Sequence, residues 1–101
     1  MANIFKNAKA ANVGVTSVLL YTAPASTATV THGIFITNKT SNTIKVSLLV
    51  GTYYVLYQVS VKPNSTVIPN KPINMMAGET LNVITDTATS CDVFVSLLEI
   101  S

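Results

Sequence analysis

Between Ile44 and Val50 the chain reads IKVSLLV, with Ile44, Val46, Leu48 and Val50 at one parity and Lys45 and Ser47 at the other. That two-residue period is the mark of a β-strand with one buried face. Upstream, Val30, Ile34 and Ile36 share a parity and Thr29, Thr31 and Thr37 take the opposite one. The intervening NKTSN, residues 38–42, is turn chemistry without glycine, so the two runs read together as a β-hairpin. Further strands are expected at TSVLLYT (16–22), TYYVLYQVSV (52–61), TLNVITD (80–86) and CDVFVSLLEI (91–100). Gly51 is expected to mark a chain reversal, and APAS, AGE and TATS supply further turns. KPNSTVIPNKPI (62–73) holds three of the four prolines and is restricted to edge strand and loop. No window carries a helical stripe; NAKAAN near the start has at most the composition of one helical turn.

Short strands with turn signals at even spacing predict an all-β fold: one antiparallel β-sandwich of about seven or eight strands. Either an Ig-like or a jelly-roll-like connection satisfies the pattern. Residues 1–12 read as a short N-terminal arm and 13–101 as the sandwich domain, with Ile44, Val46, Leu48, Val83, Val93 and Val95 in its core.

Some apolar residues fall on the wrong side of their strands. In the last strand Val93, Val95 and Leu97 alternate inward, yet Phe94, Leu98 and Ile100 occupy the other face. Tyr54 and Leu56 oppose Tyr53, Val55, Tyr57, Val59 and Val61, and Leu49 sits on the polar side of its run. A two-layer sandwich buries only one face of each sheet, so a second apolar face marks association. Leu49, Tyr54, Leu56, Phe94, Leu98 and Ile100 are therefore the expected protein interface, a single one if both strands lie in the same sheet.

Composition points the same way. Of 101 residues, 49% are hydrophobic and only 10% charged, well below the roughly 25% of ordinary globular chains. The polar balance is Thr, Ser and Asn, which leaves little charged surface for a solitary subunit. All six cationic residues are dispersed lysines, and a net charge of +2 without arginine argues against a nucleic-acid partner. No apolar run reaches the roughly 18 residues of a membrane helix, and MANIFKNAKAANVG lacks a signal-peptide core. The expectation is a chain made in a cytoplasm with no membrane partner.

Candidate chemistry is sparse. His32 is the only imidazole; simple alternation points it inward, although Gly33 beside it can bulge the strand and change that facing. A catalytic histidine needs a positioned partner, and Glu79, Asp86, Asp92 and Glu99 are scattered, so His32 reads as scaffold. One Cys, one His and four acids show no metal-ligand spacing. Cys91 continues the buried alternation, and Met75-Met76 fills space near a strand end. The sequons at Asn38 and Asn64 are expected by chance in a chain this rich in Asn and Thr. No catalytic residue, metal ligand or cofactor is expected.

Three stretches, MANIFKNA, LLYTAPASTATVTHGIFITNKTSNTIKVSLLV and AGETLNVITDTATSCDVFVSLLEIS, resemble small virion structural proteins of tailed bacteriophages, those of cyanophage-like myophages above all. The resemblance spans nearly the whole chain and rests on turn and strand patterns. It implies a non-enzymatic, multi-copy subunit of the virion, synthesised in a bacterial host. Capsid decoration, neck, and tail or baseplate accessory roles all fit. Its implied partners are other copies of itself and the major capsid or tail/neck proteins. The alternative is a carbohydrate-binding sandwich at a receptor-binding tip, with Tyr53, Tyr54 and Tyr57 as a sugar platform.

Overall fold

The computed structural model describes residues 3–69 and 71–100; Met1, Ala2, Asn70 and Ser101 lie outside the described residues. Among the described residues nine strands follow one another: β1 (Asn3–Val13), β2 (Val18–Thr22), β3 (Ala28–Asn38), β4 (Ile44–Val50), β5 (Tyr53–Val61), β6 (Thr66–Val67), β7 (Asn74–Met75), β8 (Thr80–Thr85) and β9 (Cys91–Ile100). One sheet has the order β1-β9-β3-β6, with β7 also on β3; the other has the order β2-β8-β4-β5, and every pairing is antiparallel. The pieces β6 and β7 pair with the two ends of β3, at Ile36–Thr37 and Thr29–Val30, and act as one interrupted strand. Counted so, two four-stranded sheets result. Every connection except the β4–β5 hairpin and the β6–β7 loop crosses between them. This is a jelly roll.

The core lies between the sheets. Ile34, Ile36, Val93, Val95 and Leu97 from the first sheet meet Ile44, Val46, Leu48, Leu81 and Val83 from the second. All six residues expected in the core are there, because β4, β8 and β9 keep their alternation where they line it. Gly51, with φ +62°, opens the two-residue turn that joins Val50 to Tyr53. A glycine at the first central position matches the twist of a tight hairpin.

Three expectations are corrected. The segment read as an arm is β1, an edge strand paired with β9 from Asn3↔Ile100 to Ala10↔Val93, and NAKAAN is extended within it. Ala8 faces the core at Val95 and Ala10 at Val93, so alanines too small to signal an apolar period still fill the inner face. Secondly, residues 30–37 and 43–50 do not form a hairpin: β3 and β4 belong to different sheets. Asn38, itself buried, steers the crossing. Its Nδ2 donates to the carbonyls of Asn42, Val61 and Lys62, and its Oδ1 accepts from the N–H and hydroxyl of Thr40. The loop is thus folded on itself and tied to the end of β5.

The third correction concerns facing. Thr31 pairs with Leu97 and Gly33 with Ser96, so two steps on β3 match one on β9 and His32 is in excess. This β-bulge reverses the parity of everything before it. Thr29 and Thr31 are buried with Ile34 and Ile36, whereas Val30 and His32 face outward.

Candidate functional site

The outer side of the β1-β9-β3 layer carries the second apolar face. Phe94, Leu98 and Ile100 point away from the core, as their parity predicts, because Val93, Val95, Leu97 and Glu99 point in. Register sets their neighbours: Phe5 and Val30 flank Leu98, Lys9 and Phe35 flank Phe94, and Asn7 and Gly33 flank Ser96. Phe5 is 75% exposed, Phe35 39% and Phe94 37%. The Phe5 ring lies 5.3 Å from the His32 ring, and the Phe35 and Phe94 rings are 6.3 Å apart. His32 is therefore a solvent-facing ring on an aromatic surface. Phe5, Val30 and Phe35 were absent from the expected interface. Phe35 was legible, being apolar and out of phase with Ile34 and Ile36; Phe5 was hidden in the supposed arm and Val30 by the bulge.

The remaining expected residues lie elsewhere. Leu49 and Tyr54 pair with each other on the outer side of the β2-β8-β4-β5 sheet, on the opposite surface of the sandwich. Leu56 is not on that surface: it pairs with Leu48 and packs against the core. Two irregularities in β5 cause this. Val46↔Val59 is followed by Leu48↔Leu56, then Leu49↔Tyr54, so β5 carries an extra residue at each step. Gln58 takes up the first excess at φ +50°, and its N–H donates to Ser47 Oγ at 2.9 Å. As a result Tyr54 and Tyr57 meet edge to face at 4.7 Å, beside Lys45, Gln58 and Asp86. Tyr53 instead faces a cleft of about 650 Å³ between the sheets, with Val55, Leu56, Ile34, Pro69 and residues 71–74. The three tyrosines do not form one platform.

A buried polar cluster at Glu99 is among the contacts that join the two sheets. Glu99 faces inward and is only 5% exposed. Its carboxylate accepts a hydrogen bond from the Tyr21 hydroxyl and pairs with Lys6 Nζ at 3.3 Å; the Tyr21 hydroxyl also lies 3.0 Å from Thr29 Oγ1. Burial, together with the Glu99 contact, raises the Tyr21 phenol above its usual range. Near the other end of β9, Asp92 binds Lys39 at 2.9 Å and the N–H of Asn12 at 3.0 Å, and the Lys39 contact is the main cause of its lowered pKa. Cys91 is buried, which pushes its thiol up to about 11. Among the described residues no three His, Cys, Asp or Glu side chains gather as a metal site would require. Nor, among those residues, is any helix long and apolar enough to cross a membrane.

The fold and surface describe a small jelly-roll domain with an aromatic outer face. No family model matches the chain, and no curated protein matches it. Among solved structures it is similar to a chain of the IBDV viral particle, an icosahedral virus, with a TM-score of 0.53 and 11% identity. The match covers 96% of this chain and 30% of that one, so the present chain spans less than a third of its neighbour's length. At that identity the likeness is one of fold.

Proposed function

We propose that this chain is a structural subunit of a virion, non-enzymatic and acting through protein–protein contacts. The finer reading is a multi-copy capsid decoration or neck/tail accessory subunit of a tailed phage, assembled in a bacterial host. The observation that carries the proposal is the aromatic outer face of β1-β9-β3, where Phe5, Phe35 and Phe94 stand exposed on one side of the sheet. Isolated exposed apolar residues are ordinary, but several large aromatics gathered on one sheet face mark an interaction surface. The jelly roll alone does not decide the matter, since it serves viral capsids, lectins and cupins alike. A likeness in fold to a viral-particle chain supports the virion reading. Sugar binding loses support from the separation of Tyr53 from the Tyr54–Tyr57 pair.

The test is incorporation of Phe94→Lys into particles beside the wild-type chain, with circular dichroism of the isolated variant. A charge placed where water is excluded should sharply reduce incorporation while the fold persists. A folded variant that enters particles at the wild-type level would overturn the proposal.

A further inference from the structure

We infer that the outer face of β1-β9-β3 is covered by the same face of a second copy, about a two-fold axis. This rests on the reading of that face as a protein interface and names its partner. Three features support it: area, shape and the placement of charge.

Three strands about 4.8 Å apart, each of about ten residues at about 3.4 Å, give a footprint near 14 by 34 Å. That is about 500 Å² per copy, so two copies stacked face to face bury about 1,000 Å², the lower bound for a stable interface. No other protein is needed to reach that bound.

The face is also flat enough to stack. Gly33 has no side chain, and the Phe35 ring lies 3.4 Å from where its Cβ would stand, so Phe35 leans along β3 over Gly33. Ser96, small as well, separates Phe94 from Leu98 on β9. Sheets with such faces pack about 10 Å apart.

Charge selects the orientation. The charged side chains of this face, Lys9 and Asp92, lie toward the Phe94 end, whereas Ile100, Leu98, Val30 and Phe5 make up the other end. Asp92 is already paired with Lys39, leaving Lys9 as the cation to accommodate. A two-fold axis in the plane of the face and across its strands sets Phe94 and Phe35 of one copy over Leu98 and Val30 of the other. The two Lys9 side chains then sit at opposite ends, whereas a side-by-side axis would bring them closer. Residues meet reciprocally, as a two-fold interface requires.

The experiment is sedimentation of the purified full chain over about 1 to 200 μM, for the wild type, Phe94→Lys, Phe5→Lys and Tyr54→Lys. Dichroism is recorded for each. The wild type should run at twice 10.7 kDa. Phe94→Lys should raise the dimer dissociation constant about thirtyfold or more, as loss of an anchor does. Phe5→Lys, at an exposed edge position where folding is not at risk, should weaken the dimer in the same direction. Tyr54→Lys, on the opposite sheet, should leave it unchanged. A wild type that stays monomeric throughout, or a dimer indifferent to both phenylalanine variants, overturns the inference. If the wild type is monomeric yet Phe94→Lys is lost from particles, a different virion protein covers the face and the proposed function stands. If incorporation is also unaffected, both fall.

Discussion

Replacing Tyr21 with Phe removes one oxygen atom and tests what ties the two sheets together. The hydroxyl reaches from β2, in one sheet, to Glu99 and Thr29 in the other. Phenylalanine keeps the ring and its packing, so the change isolates the polar contact. A hydrogen bond to a charged group contributes about 1.5–3 kcal/mol net, and a buried acceptor left without its donor costs in the same range. Tyr21 is only half-buried and Lys6 still faces the carboxylate, so water and the lysine recover part of the loss. The expected destabilisation is about 2 kcal/mol. For a domain of this size that is a fall of about 8–16 °C in Tm. The raised phenol pKa adds a signature in pH. Because the folded state favours the neutral phenol, its contribution is complete below the unfolded value near 10 and is lost as pH rises through the folded value. Wild-type stability should therefore drop in the alkaline range by more than that of Tyr21→Phe. Thermal melts of both proteins from pH 7 to 11 provide the measurement. A change under about 0.5 kcal/mol at neutral pH would mean that the hydroxyl is as well satisfied by water, and the argument for a buried inter-sheet tie would fail.

Two other predictions concern the packing around the core. A Cβ at Gly14 would meet the backbone of Ala88 and Thr89 at 3.1 and 3.0 Å, so Gly14→Ala should cost about 1–3 kcal/mol, measured by urea denaturation; an unchanged midpoint would show that the 87–90 turn yields freely. The Cys91 thiol, buried with its pKa pushed up to about 11, should resist a thiol-specific reagent at pH 8 in the native protein and react at once in urea; fast native reaction would refute its burial.

Much of this protein can be read from alternation alone. The strands β8 and β9 bury every second residue where they cross the core, β4 turns Ile44, Val46 and Leu48 into it, and the sequence by itself determined these inner faces, the core they build and the outward Phe94, Leu98 and Ile100. It also determined the β4–β5 reversal at Gly51, since a glycine between two strand runs has a local cause. Alternation is blind to a single added residue, however. One excess residue at His32–Gly33 put Val30 outside and two threonines inside, and two in β5 sent Leu56 inward and brought Tyr57 beside Tyr54. Nor does it name a strand's partner. The pairing of β1 with β9, and the crossing at Asn38 that parts β3 from β4, rest on hydrogen bonds between residues far apart in the chain. Whether the apolar exterior formed one face or two was decided by those pairings, because sheet membership follows from which backbone edges meet, and only the tertiary structure brings those edges together.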